Sequence, residues 1–166
     1  MANNFAEQLL REWYEYQGYF VRNNVWVGKR DKGGYETELD IVAFHPVGKH
    51  VVHLEPSTDA DSWDEREKRY SKKFEYGRKY IPELLEGLIE PGTIIDQYAV
   101  LVFASKANYQ TVGGGKIKLL SEFISEIFEA VKDKKIQSNA ISEQMPLLRT
   151  LQFVCQYRED VKMVLY

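Results

Sequence analysis

The residues with the clearest chemical content lie between Glu38 and Ser57. They read Glu-Leu-Asp-Ile-Val-Ala-Phe, then a turn through Pro46-Val-Gly-Lys49, then His-Val-Val-His-Leu-Glu-Pro-Ser. The apolar, β-branched character of both arms predicts a strand hairpin. Side chains alternate along a strand, so Glu38, Asp40, Val42 and Phe44 are expected on one face, with Leu39, Ile41 and Ala43 on the other. On the second arm Val51, His53 and Glu55 project together, and Ser57 continues that side. A carboxylate in an otherwise apolar strand loses hydration, and a cation, a set of hydrogen bonds or a metal must offset the loss. Asp40 and Glu55 therefore read as one anionic cup at adjacent strand ends. It is either a metal site or a structural pair bridged to Arg66 or Lys73.

The surrounding sequence supplies the elements that would position this cup. From Phe5 to Gln17, Ala6, Leu9, Leu10, Trp13 and Gln17 fall on one helical stripe, with Arg11, Glu12 and Glu15 facing away. Glu7 sits at the edge of that stripe, beside Leu10 and Tyr14, and can lean over whatever the helix packs upon. Gly18 ends the helix, and Tyr19 to Val27 reads as a strand followed by the polar turn Gly28 to Gly34. Ser62 and Glu65 have capping-box spacing and open a second helix that runs to about Leu85. Its buried stripe is Trp63, Tyr70, Phe74, Gly77 and Ile81, bordered by Arg66 and Lys73, and Pro82 is placed to end or bend it. Tyr98 to Ala104 is an unbroken apolar run, the pattern of a strand covered on both faces. Tyr109 to Gly115 reads as a loop, Ile117 to Lys132 as an amphipathic helix, Ala140-Ile141 as a short strand and Pro146 onward as a last helix. The order α-β-β-β-α-β-α, then a short strand and a helix, predicts an α/β sandwich, a central mixed sheet flanked by helices.

Composition narrows the function classes. A chain of 166 residues fits one domain, 1–166, with 44% hydrophobic and 28% charged residues, and no apolar run approaches bilayer length. The N-terminal Met-Ala-Asn-Asn-Phe-Ala-Glu-Gln has neither a basic start nor an apolar core, so no signal peptide is expected and the cytoplasm is the expected compartment. Cys155 is the single cysteine, which excludes an internal disulfide and a thiolate zinc cluster, and its apolar setting predicts a core position. A net charge of −3 argues against a uniformly basic nucleic-acid coat protein but leaves local basic patches open.

With these elements in place, the chain resembles the restriction endonuclease-like, PD-(D/E)XK, phosphodiesterase superfamily over about its first two thirds. The likeness rests on Ala-Glu7-Gln-Leu-Leu in the first helix, Glu-Leu-Asp40-Ile-Val-Ala in the second strand and His-Leu-Glu55-Pro-Ser57 in the third. Two departures stand out: Leu39 replaces the proline before the aspartate, and Ser57 stands where the motif lysine belongs. The resemblance implies a restriction endonuclease-like fold and a metal-dependent nuclease that hydrolyses DNA phosphodiester bonds. Asp40, Glu55, the Pro56 carbonyl and Glu7 would hold Mg²⁺ or Mn²⁺. A lysine displaced to the second helix would replace the missing one, with Lys73 favoured over Arg66 because a compact ammonium is the closer substitute. The alternative is a catalytically inactive nuclease-fold module that binds nucleic acid or a protein partner; a homodimer would be one way to position two strands.

Other motifs carry less. The basic run holding Arg66, Arg69, Lys72 and Lys73 reads as a solvated helix face or as phosphate contacts next to the cup, and Lys116 joins it as a candidate DNA contact. Gly113-Gly-Gly115 lacks phosphate-loop spacing and reads as a flexible loop. His50 and His53 fall on opposite strand faces and are assigned no metal. Asp59, Asp61 and Asp64 lack the glycine and terminal glutamate of a calcium loop and read as helix-capping acids.

Overall fold

The structure is a computed structural model that describes residues 4–106 and 108–165. Met1 to Asn3, part of the N-terminal stretch read above, lie outside it. Its elements are α1 (Phe5–Tyr16), β1 (Phe20–Lys29), β2 (Tyr35–His45), β3 (His50–Ser57), α2 (Trp63–Leu84), β4 (Ile95–Leu101), β5 (Thr111–Val112), β6 (Gly115–Leu119), α3 (Leu120–Val131), α4 (Ile136–Asn139), α5 (Pro146–Gln156) and α6 (Arg158–Leu165). The strands form one mixed sheet in the order β1-β2-β3-β4-β6-β5. β1, β2 and β3 are antiparallel neighbours, β3, β4 and β6 run parallel, and β5 returns antiparallel on β6. A parallel neighbour requires a crossover, and α2 provides it between β3 and β4.

Helices cover both faces. α1, α3 and α5 bury Leu10, Trp13, Phe123, Ile127 and Leu148 against Ile41, Ala43, Val52, Leu54 and Val100. On the opposite face α2 buries Tyr70 and Phe74 against Ala99 and Leu101, and Ile81 against Val42, Phe44 and Val51. The expected alternation therefore holds from Asp40 to Phe44, while Leu39 departs from it by joining Val25 and Val27 in the α2-side cluster. The β1–β2 register omits the pair Asn24 and Asp40, and Asn24 takes a left-handed φ of 51° there. Such a residue twists a strand locally, which accounts for the departure.

Several sequence expectations need correction. The segment read as the start of a helix at Ile117 is β6, with the helix beginning at Leu120, and the loop before it contains β5. Gly113 and Gly114, both at positive φ, make a tight turn, and its flanks are pressed on α2: a Cβ on Gly113 would lie 2.3 Å from the Tyr70 and Ser71 backbone, and one on Gly115 2.3 Å from the Phe74 ring. The glycines are thus a packing device. Ala140-Ile141 follows the short helix α4 and is no strand. Pro82 does not end α2, which continues to Leu84. Gln17 is exposed, and Glu12, expected to face away, is fully buried.

Glu12 has a specific reason to be inside. α5 begins at Pro146 with no side-chain cap from Met145. The Glu12 carboxylate takes that role from across the core: its Oε2 accepts the Leu148 N–H at 2.8 Å and its Oε1 accepts from Gln8 at 2.9 Å. An acid at a helix N-terminus satisfies an orphan donor and opposes the helix dipole. Glu12→Ala is expected to lower stability by about 1–3 kcal/mol, the cost of leaving a buried donor unpaired, as measured by urea denaturation. No loss would mean that α5 is capped by something else.

Candidate functional site

The β2–β3 ladder runs from His45 and His50 to Ile41 and Leu54, then stops. Asp40 and Glu55 lie one step beyond, where the strands part. Here the Asp40 backbone N–H donates to the Glu55 side chain (Oε1, 3.1 Å), so a carboxylate receives the donor where ladder pairing ends. Pro56, which brings no N–H, follows directly at the place where β2 has left.

Lys73 of α2 closes the pair. Its Nζ donates to Asp40 Oδ1 at 2.8 Å and to the Glu38 carbonyl at 2.6 Å, and it lies 2.8 Å from Glu55 Oε2. The three hydrogens of the ammonium thus have three oxygen partners. Behind Glu55 lies a second set of contacts: His53 Nε2 is 2.7 Å from Oε1, and His53 Nδ1 is 3.0 Å from Gln97 Nε2. Glu55, His53 and Gln97 are all buried. Gly77 lets α2 approach this row, because a Cβ there would stand 2.4 Å from His53 Nδ1.

The electrostatics follow from this crowding. Burial, and then the charge of Glu55, push Asp40 up to about 8, against the pull of Lys73. Burial also opposes ionisation of Glu55, yet the His53 hydrogen bond and Lys73 hold its carboxyl below the usual range. Lys73 loses hydration too, but Glu55 and Asp40 raise it above an ordinary lysine. Two carboxylates share one ammonium, so the less supported acid keeps its proton.

A cavity of about 160 Å³ opens beside the pair, lined by Asp40, Glu55, Pro56 and Lys73 and by Ser57, Asp59, Arg69 and Tyr70. Arg69 stands one turn before Lys73 on α2 and reaches the Ser57 hydroxyl at 3.1 Å, while Asp59 and Asp61 hold its other nitrogen at 2.9 and 2.7 Å. The buried Tyr70 hydroxyl lies near Arg69 and Ser57 without a hydrogen bond of regular geometry.

The structure brings together Asp40, Glu55, Pro56, Lys73 and Arg69 among the residues singled out from the sequence. It does not bring Arg66, which is buried and donates to the carbonyls of Asp59 and Phe103 at 3.1 and 2.8 Å. Arg66 therefore ties two loops and is not the cation of the cup. Lys116 pairs in register with Tyr98, which packs on the α1 side, whereas Glu55 pairs with Ala99 on the α2 side. Lys116 thus lies across the sheet from the cup, bound to Asp96 at 3.0 Å. Lys72 is exposed, with its ammonium 5.9 Å from the Tyr76 ring centre.

Glu7 is engaged with the α1 cap: Asn4 Nδ2 donates to it at 2.6 Å. It makes no three-acid group with Asp40 and Glu55, since among the described residues no three His, Cys, Asp or Glu side chains gather as around a metal. It still feels the cup, for burial and the charges of Glu38 and Glu55 raise its pKa. The Glu38 Oε1 is buried and has no hydrogen-bond partner among the described residues. Asp59 and Asp61 hold Arg69, so helix capping falls to Ser62.

Sequence reasoning passed over His53 as a support for Glu55, and missed Gln97 altogether. His53 carried a readable signal, since it shares a face with Glu55 two residues on. Gln97 carried none, because its place depends on a strand distant in sequence. Arg69 was readable through its spacing of four from Lys73 on one helix face.

No family model matches the chain, and no curated protein matches it. A crystal structure of a protein of unknown function, AF1548, is similar to it, with 12% identity over 93% of this chain and 97% of that one, at a TM-score of 0.39. A likeness of that degree carries no argument about fold or function.

The raised Asp40 has a pH signature. Its folded-state value lies above that of the unfolded chain, so its contribution to stability is complete below the ordinary value of 3.8 and is lost as pH rises to about 8. Asp40→Asn, which cannot ionise, is expected to gain stability relative to the wild type as pH rises from about 4 to about 8 in urea denaturation. A constant difference across that range would show that Asp40 is ionised throughout.

Proposed function

We propose that the chain is a divergent restriction endonuclease-like protein that hydrolyses DNA phosphodiester bonds with Mg²⁺ or Mn²⁺ at Asp40 and Glu55. The observation that carries this reading is Lys73, whose Nζ lies 2.8 Å from both carboxylates. A lysine on the helix after the third strand can thereby act beside the cup from which Ser57 has displaced the motif lysine. The order of elements supports the same reading: a helix, three antiparallel strands, a helix, a buried strand, with the acids on the second and third strands.

The donor set fits a hard divalent cation. Every candidate ligand is an oxygen: the Asp40 and Glu55 carboxylates and the Pro56 carbonyl, all at one cavity. Glu7 and Glu38 add negative charge nearby. When bound, such an ion polarises the phosphate and lowers the pKa of a coordinated water.

The chain's own residues divide the remaining work. Asp40 and Glu55 would hold the ion at the cavity they line. Lys73 orients water next to the carboxylates and compensates charge developing on the phosphate. Arg69 and Ser57, on the cavity wall, hold a phosphate oxygen, and exposed Lys72 adds a backbone contact outside it. The protein's mildly acidic total of −3 suits a site in which cup and rim charges offset one another.

Calorimetric titration with Mn²⁺ and a plasmid and single-strand cleavage assay test this together. Binding to the wild type that disappears in Asp40→Ala is expected, with metal-dependent cleavage reduced on the order of 10²-fold or more in Lys73→Met. Metal binding without cleavage would leave the inactive nucleic-acid or protein-binding module, and cleavage unchanged in Lys73→Met would remove the proposed role of that lysine.

A further inference from the structure

Behind the cup the buried side chains of His53 and Gln97 form a row that ends at the exposed Arg78, and its hydrogens can be assigned by elimination. Arg78 has only donors, and its Nη1 lies 2.7 Å from Gln97 Oε1. The Phe74 carbonyl has only an acceptor, and Gln97 Nε2 lies 2.9 Å from it. Both contacts give the Gln97 amide the same orientation, with its NH₂ toward Phe74 and His53. The second hydrogen of that NH₂ points at His53 Nδ1, 3.0 Å away, so Nδ1 must accept. The ring proton then resides on Nε2, which donates to Glu55 Oε1 at 2.7 Å.

The consequence is asymmetric use of the Glu55 carboxylate. Oε1 is occupied from inside by His53 Nε2–H and by the Asp40 backbone N–H, whereas Oε2 faces Lys73. Rotation of the carboxylate would break two hydrogen bonds in a fully buried setting, where unpaired donors are costly. Gly77 protects the arrangement, since any side chain there would push α2 off His53 and Gln97.

We propose that His53 and Gln97, with Arg78 behind them, are positioning residues that lock Glu55 as a one-oxygen donor, presenting Oε2 alone to the cavity. The consequence for metal affinity rests on the function proposed above; the hydrogen assignment does not. Partners that orient a ligating carboxylate typically contribute roughly 10–100-fold in metal affinity.

Two measurements on the full-length chain separate these claims. Nitrogen-15 NMR of the histidine rings in the metal-free protein at neutral pH is expected to show His53 protonated on Nε2 and bare at Nδ1. A proton on Nδ1, in either the other tautomer or the imidazolium, overturns the assignment. Mn²⁺ calorimetry is then expected to show a loss of roughly 10–100-fold in His53→Met, recovery to within a few-fold in His53→Gln, whose amide can donate to Oε1, and a smaller loss in Gln97→Leu. Gln97→Leu serves as the deciding variant if His53→Met does not fold. Wild-type affinity in Gln97→Leu and in a folded His53→Met overturns the positioning role. A wild type that binds no Mn²⁺ overturns the metal reading, and the NMR result then decides the locking of Glu55 by itself.

Discussion

The site depends on a single ammonium shared by two carboxylates. Asp40 and Glu55 stand side by side where β2 leaves β3, in surroundings too dry to keep both charged unaided. Lys73 offsets that repulsion with three short contacts, and α2 must be held close to the sheet for it to reach. Much of the packing on that face serves this approach. Phe74 and Tyr70 anchor α2 on β4 and β6, Gly77 removes the side chain that would hold it away, and Gly113 and Gly115 let the β5–β6 turn close on it. A side chain at any of these glycines would move Lys73 by lifting its helix.

The two acids are built for different tasks. Glu55 is buried, supported by His53 and a backbone N–H, and stays ionised; Asp40 has fewer partners and holds its proton to higher pH. An ammonium that satisfies both in the absence of other cations occupies the place where a divalent ion would be most stabilised. Under the proposed metal reading, an ion held there would take over the compensation of charge that the Asp40 proton and Lys73 provide. Arg69 is prevented from taking over, because Asp59 and Asp61 hold it on the far wall of the cavity.

The strands and long helices were legible because their patterns are local. The acid pair could be read from alternation along β2 and β3, and Lys73 from its place beside the buried stripe of α2. What escaped was set by contacts distant in sequence. Glu12 looks like a surface acid on a helical wheel, and only the docking of α5 explains its burial. Ile117 to Leu119 merges with α3 when read by helical periodicity, and its strand character comes from pairing with β4. Arg66 borders the same stripe as Lys73, but seven residues is just short of two helical turns and its head lies near Phe103, beyond the end of β4. Lys116 is near the cup in a flat view of the sheet and on its other face in space.

The most direct measurement is anomalous diffraction from a crystal of the full chain soaked in Mn²⁺. A peak bonded to Asp40 and to Glu55 through Oε2 alone, with the Lys73 ammonium moved off at least one carboxylate, is the predicted result. A map with no peak in the cup, and Lys73 still bridging Asp40 and Glu55, would contradict the account and leave the lysine as a permanent structural counter-ion.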